Sequence, residues 1–307
     1  MAKEQFFKSP RIFVRKLMMM QKLYVLLLIV VAAGCMAKET QNGLLWSSWE
    51  EASDSGTAVL ELAYVPSEGF SYEDEDGKVT GVTIEIFRDF VRYLEEYHKL
   101  DVQYQLKPVD RFSDFYHAVR EGRSGQFGVA NVTITDARKE ELAFSPPYMS
   151  NIAVLITHRD VEEISSIREM PDLLSDHKAL AFGGTLHEVR LRNIVESYLP
   201  DVNIEYAESN REIIERAGEM PGYFAYVDLY NYWRAAEAGT AVRRHGLFDE
   251  SSEQFGMIMP HGSDWADVLN QFFESDGGYL NSDRYRLLME THLGRQLADL
   301  LISQHQP

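Results

Sequence analysis

A single cysteine, Cys35, is the only thiol in this 307-residue chain. No disulfide can form within it, so a scaffold that leans on disulfides is excluded. Basic residues are scarce as well: 30 Lys and Arg stand against 48 Asp and Glu, a formal charge of −18. The first 34 residues hold six of the bases and one of the acids, and the remainder carries 24 bases against 47 acids. Such a body lacks the cations that nucleic-acid phosphates require, and an anionic membrane surface would repel it. Low-complexity tracts and internal repeats are absent. The nine histidines show no metal-ligand spacing, so neither a metal nor a cofactor is expected. The apolar run from Leu23 to Ala33 is 11 residues long, about half of the roughly 20 that a membrane-spanning helix needs.

What surrounds that run gives it a different meaning. Lys3, Lys8, Arg11, Arg15, Lys16 and Lys22 precede it, and Gly34-Cys35 follows. A basic segment, a short apolar stretch and small residues form a secretory signal. The ending Ala32-Ala33-Gly34-Cys35 resembles a bacterial lipobox. That resemblance implies cleavage before Cys35, lipidation of its sulfur, and a location in the periplasm or at the cell surface. Residues 1–34 are therefore expected to be a lipoprotein signal peptide. Residues 35–56, polar and without periodicity, are expected to be a tether, with Trp46 and Trp49 able to dock.

From Ala58 onward, strand-like and helix-like segments alternate. Val59 to Ala63 and Val102 to Leu106 read as strands. Thr83 to Tyr97 sets Ile84, Phe87, Phe90, Val91 and Leu94 on one helical face. Phe112 to Arg120 does the same with Phe112, Phe115, Tyr116 and Val119. After a strand from Asn151 to Thr157 the pattern restarts: strand from Ala179, helix from Thr185, strand from Asn203, helix from Arg211, strand from Tyr223. A late strand from Phe255 to Met259 and helices from Asp264 and Ser282 close the chain. The predicted fold class is α/β. Two successive β/α sets predict two lobes, each a mainly parallel sheet flanked by helices, with ligand bound beyond the carboxyl ends of strands.

Three stretches are similar to the type II periplasmic solute-binding proteins, in particular their amino-acid-binding family. One runs from Phe70 through Gly81 to Ile86. A second is Asn131-Val-Thr-Ile-Thr-Asp-Ala-Arg138 with Phe144-Ser-Pro-Pro-Tyr148, which resembles the motif Thr-x-Thr-x-x-Arg…Phe-Ser-x-Pro-Tyr. The third is Gly183-Gly-Thr185 opening a helix, with Tyr226-Val-Asp228 at a strand end. Within that family the chain looks nearest to the regulatory module of membrane-bound lytic murein transglycosylases. The resemblance implies a two-lobed fold with two hinge crossovers: residues 57–150 plus 257–307 as lobe one, and 151–256 as lobe two.

It also implies a site. Arg138 would bind the α-carboxylate of an amino-acid-like ligand, where a guanidinium can form two parallel hydrogen bonds. Thr133 would add an N–H and a hydroxyl, and Asn131 a carbonyl to the ammonium. Thr185 would hold a polar ligand group, Asp228 would accept from the ammonium, and Phe70 and Tyr72 would pack over the ligand. Plainer roles exist for several of these. Arg138 can pair with Glu140 or Glu141, and Thr185 and Asp228 can cap helices. His187 and His261, on helix starts or loops, are expected to be solvated.

A binding protein for a small amino-acid-like or peptide ligand is the expected function, not an enzyme. An ABC permease or a cell-wall enzyme would be its partner, and a lipid anchor its link to the membrane. Two alternatives stand beside import or sensing of an amino acid. One is a muropeptide-sensing regulator. The other is a dehydratase-like enzyme on the same fold, for which Glu68 is the one candidate acid or base.

Overall fold

The computed structural model describes residues 46–303. The signal-peptide and lipidation readings fall on residues 1–45 and so lie outside the described residues. The described chain begins with a short helix α1 (Trp49–Ser55), followed by β1 (Thr57–Tyr64), a hairpin of β2 (Tyr72–Glu73) and β3 (Val79–Thr80), and α2 (Val82–Tyr97). Next come β4 (Asp101–Pro108), α3 (Phe112–Arg120), β5 (Gln126–Val129), the single turn α4 (Asp136–Lys139) and β6 (Leu142–Phe144). The long β7 (Met149–His158) leads into α5 (Met170–Leu174), β8 (Lys178–Phe182), α6 (Leu186–Tyr198), β9 (Ile204–Ala207), α7 (Asn210–Glu219), β10 (Tyr223–Asp228), α8 (Leu229–Glu237), β11 (Val242–Arg244) and β12 (Glu250–Phe255). The chain then returns through β13 (Ile258–Pro260) to α9 (Trp265–Glu274), α10 (Asp283–Leu293) and α11 (Arg295–Ser303).

Two sheets result. One has the order β4-β1-β5-β13-β6, and the other β11-β7-β10-β8-β9 with β12 also paired to β7. Strands β1, β4 and β5 are mutually parallel, as are β8, β9 and β10. Each sheet also holds one strand that runs against its neighbours, β13 in the first and β7 in the second. These are the strands that enter from the other sheet. Each arrives through a short link, and only a long crossover would let it pair in parallel. The two lobes thus meet at β7 and β12, which pair antiparallel with Met149 opposite Phe255 and Asn151 opposite Glu253.

The helical stripes read from the sequence are buried as stripes. Ile84, Phe87, Phe90 and Leu94 of α2 are fully inaccessible, and they pack with Phe127 and Trp265. Burial of four such side chains stabilises by roughly 1.5–3 kcal/mol each before entropy is counted. Gly81 precedes α2 at φ +121°, and a Cβ there would stand 2.4 Å from the Phe70 carbonyl group. Only glycine fits that approach without strain. The late strand expected from Phe255 to Met259 is two strands, with Gly256-Met257 between them.

The end of the expected tether is ordered. Ser48 and Glu51 form a capping box on α1, and Trp49 packs edge-on against Trp265 at 5.3 Å. The Trp265 indole N–H donates to the Ser47 carbonyl at 2.9 Å. Ser-x-x-Glu is itself a helix-start signal, so this element was readable and residues 49–55 are corrected from tether to helix. Among the described residues no helix is long and apolar enough to cross a membrane.

One core histidine makes the fold sensitive to acid. His245 is fully buried, with Nε2 at 2.8 Å from the Thr157 hydroxyl and Nδ1 accepting the Ile164 N–H at 3.1 Å. Burial, helped by Arg243, pushes its pKa from 6.5 down to about 4. The unfolded chain therefore takes up this proton first. Stability from the neutral ring is complete above the unfolded value and is lost as the pH falls from about 6.5 toward 4. On the order of 2 kcal/mol is expected to disappear over that window. Urea midpoints at pH 7 and 4.5 should drop more steeply for the wild type than for His245→Gln, and equal slopes would refute the assignment.

Candidate functional site

A cleft of about 1240 Å³ opens between the two sheets, lined from both lobes. Its lining joins the loops after β1 and β5 to those after β8, β9 and β10, the carboxyl ends of the parallel strands. The volume exceeds that of a common drug-sized pocket, as an open cleft would.

Arg138 lines this cleft from the lobe-one side. Thr135 caps α4 by accepting the Arg138 N–H at 3.2 Å, which sets the residue's place. The guanidinium lies 5.6 Å from the ring centres of both Phe112 and Tyr116, residues four apart on α3. Its Nη1 donates to the Thr133 carbonyl at 2.9 Å. Among the described residues it has no ion-pair partner. Glu141 is taken by Arg120 at 3.3 Å and by the Tyr116 hydroxyl at 3.2 Å, so the plainer surface-pair role is not realised. Burial pushes the Arg138 pKa below its usual value. An arginine cannot shed its proton in a protein, so this is an unmet demand for a negative partner.

Thr133 is buried and forms a lone antiparallel bridge with Phe255. The bonds of that bridge run from Ile134 N to Gln254 O and from Gly256 N to Val132 O. Thr133 is therefore the non-bonded position, and its own N–H and C=O point away from β12. The carbonyl receives Arg138. Asn131 lines the cleft beside it, with Nδ2 at 3.5 Å from Asp228 Oδ2 and Oδ1 buried without a partner among the described residues.

The opposite wall carries Thr185, His187 and Asp228. The Thr185 hydroxyl donates to the Phe182 carbonyl at 2.7 Å and accepts the Glu188 N–H at 3.4 Å, so it is committed to capping α6 while it lines the cleft. Asp228 makes no side-chain cap on α8. Its carboxylate is 4% exposed, and Oδ1 accepts from Asn151 Nδ2 at 2.6 Å and faces His187 Nε2 at 3.0 Å. Arg138 and Asp228 form no ion pair with each other, and both line the same cleft.

Two expectations need correction. Phe70 is fully buried, set edge-on to Tyr230 at 4.9 Å and Phe255 at 6.4 Å, and it belongs to the core instead of covering the cleft. The tight approach of Gly81 to the Phe70 backbone draws this loop inward. Tyr72 does line the cleft, where its hydroxyl meets His292 Nδ1 at 3.1 Å. His187 is not solvated: it is 8% exposed and bound to Asp228. Glu68 lies at the mouth, exposed and ion-paired with Arg234. Among the described residues no group of three or more His, Cys, Asp or Glu is placed to hold a metal ion.

Known proteins show the same architecture. The chain is 27% identical over 178 residues to the L-cystine-binding protein TcyJ of Escherichia coli K12, an alignment covering 57% of this chain and 60% of that protein. An ancestral arginine-binding protein bound to arginine superposes with TM-score 0.61 at 19% identity, over 77% of this chain and 98% of the other. The GluR0 ligand-binding core from Nostoc punctiforme, in complex with L-glutamate, gives 0.58 at 16% identity, over 76% and 99%. At such identities the structural matches establish the two-lobed fold. The family model for bacterial extracellular solute-binding proteins, family 3, matches residues 60–278, and the chain belongs to that family.

Proposed function

We propose that this protein clamps a zwitterionic, amino-acid-like ligand between its lobes. The observation that carries the reading is Arg138: a largely buried guanidinium, set over two neighbouring rings and without an ion-pair partner among the described residues, in the wall of a large cleft. A ligand carboxylate would meet that demand, assisted by the Thr133 N–H. Asp228, with Asn131, would receive the ammonium from the far wall. Thr185 would present the start of α6, and Tyr72 would flank the ligand. The ligands named for the relatives make L-cystine, L-arginine and L-glutamate the first candidates.

Residues 57–150 with 257–307 would move as one lobe against 151–256. A ligand that touches both walls favours the closed state only through contacts absent when open. Solution scattering is expected to show compaction at ligand saturation, and an unchanged radius of gyration would argue for a rigid or one-sided site. Mass spectrometry of the molecule that co-purifies with the protein would identify the ligand.

The lipobox-like Ala-Ala-Gly-Cys35 supports a lipid anchor for the mature protein, outside the cytoplasm. Cys35→Ser should abolish metabolic labelling with palmitate, and equal labelling of the variant would remove the anchor. The relatives' names speak of binding, and import with a permease is what the resemblance to amino-acid-binding proteins implies. Regulation of a cell-wall enzyme rests on the sequence resemblance alone.

A further inference from the structure

Behind Asp228 lies a buried polar cluster that touches no open part of the cleft. Asn151 of β7 and Glu253 of β12 stand directly opposite each other in the crossover ladder, 1% and 3% exposed. The Asn151 amide donates to Asp228 Oδ1 at 2.6 Å and to Glu253 Oε2 at 2.7 Å. An amide nitrogen has two hydrogens, and both are used here. The reversed amide would aim its oxygen at two carboxylates, so the network fixes its orientation. Glu253 is ion-paired with Arg190 of α6. Arg190 Nη1 also stands 3.4 Å from Nδ1 of His187, one turn earlier on the same helix. That places the ring proton on Nε2, facing Asp228.

The two oxygens of Asp228 are thus unequal. Oδ1 is held by Asn151 and His187, whereas among the described residues Oδ2 has the 3.5 Å contact to Asn131, from the other lobe, and no further hydrogen bond. Arg190 pairs with Glu253, so among the described residues Asp228 Oδ2 lacks a bonded cation. A ligand ammonium at Oδ2 would supply it. One donor to Asp228, Asn151, comes from a strand joining the sheets and is itself braced by Glu253 of the other joining strand, while the second, His187, comes from α6, so the aim of Asp228 is set in part at the hinge.

We infer that Asn151 and Glu253 are positioning residues for the ligand's ammonium: they hold one oxygen of Asp228 from the hinge side and leave the other for the ligand. The inference rests on the reading that Asp228 receives an amine. Without the Asn151 donors, Asp228 and Glu253 would face each other with nothing between them, and Asp228 would turn away. Without the Glu253 charge, Arg190 would be drawn to Asp228 and compete with the ammonium. The Asn151 change leaves the charges around Arg138 as they are, whereas the Glu253 change also removes a carboxylate that attracts Arg138 from a distance.

The test compares ligands with and without an α-amine. The probes are the twenty standard L-amino acids and L-cystine, and for the tightest binder, its analogue lacking the α-amine. Calorimetry is run on wild type, Asp228→Asn, Asn151→Leu and Glu253→Gln, with thermal melts as fold control. Asn151→Leu and Glu253→Gln should each weaken the amino acid about tenfold to a hundredfold, as loss of an orienting partner does. Binding of the amine-free analogue should stay within about twofold in Asn151→Leu, and should not weaken in Glu253→Gln, where a carboxylate that competes for Arg138 is gone. Glu253→Gln keeps an acceptor for Asn151 but breaks the ion pair with Arg190, so Asn151→Leu, which leaves that pair intact, is the second variant that keeps the test readable. Equal losses for both ligands would make the cluster a structural support only, and wild-type affinity in both variants would overturn the inference while leaving the clamp intact. If no probe binds the wild type, or Asp228→Asn binds the amino acid normally, the ammonium site itself falls and the inference with it.

Discussion

Alanine at Arg138 is expected to cost the protein its ligand and little of its stability. A buried, hydrogen-bonded ligand charge stripped of its partner loses about 2–5 kcal/mol, which is roughly thirtyfold to several thousandfold in affinity. The fold has less at stake. Arg138 makes no ion pair among the described residues, and Glu253 and Glu141, which attract it from a distance, have Arg190 and Arg120 as their own partners. One carbonyl, that of Thr133, loses a donor, and two rings lose a cation about 5.6 Å away. Against these stands relief of the desolvation that already depresses the guanidinium. The melting temperature of Arg138→Ala should therefore match or exceed that of wild type, while calorimetry finds binding gone. Normal affinity in a folded Arg138→Ala protein would sink the carboxylate clamp. Asp228 is the less clean mirror of this test, because alanine there would leave the donors on Asn151 and His187 unmatched. Asp228→Asn keeps the shape and removes the charge.

The contrast between these two charged residues shows what the linear chain reveals. Arg138 was legible through the motif that carries it, Thr-x-Thr-x-x-Arg, whose Thr135 cap and Thr133 carbonyl lie within five residues of it. The α2, α3 and α6 helices were legible for a similar reason, since a buried face repeats every three or four positions. Asn151 and Glu253 gave no such sign. Their partners are 77 and 102 positions away, and the β12 sequence, Glu-Ser-Ser-Glu-Gln-Phe, is too polar to announce a strand. Its burial alternates only over Glu253-Gln254-Phe255, too short a run to mark a strand in the sequence. His187 looked solvated because a helix start usually is, yet helix α6 turns both His187 and Arg190 toward β10 and β12. Phe70 failed differently. An aromatic after β1 suits a cleft or a core equally, and the choice was made by Gly81 pressing on its backbone, a contact with no trace in residue type at position 70.

Arg190 is expected to matter for stability through its buried ion pair with Glu253. Its side chain is 17% exposed and that of its partner Glu253 is 2% exposed. Replacing Arg190 with alanine would leave Glu253 buried, with the Asn151 amide as its remaining donor and Asp228 as a like-charged neighbour across that amide. Breaking a buried pair from one side costs about 3–5 kcal/mol, well beyond the 0–1 kcal/mol of exposed pairs such as Arg211 with Glu215. For a domain of this size that is a fall in melting temperature of roughly 6–20 °C. The cost arises from the charge left behind, not from attraction lost, so it should be recoverable. In Arg190→Ala with Glu253→Gln the orphaned charge is gone, and stability is expected to return most of the way to wild type, giving a coupling well above 1 kcal/mol in a double-mutant cycle. Thermal and urea unfolding of the four proteins measure it. Additive single effects would mean that Arg190 supports α6 by packing, and that the ion pair at the hinge is no more than a contact.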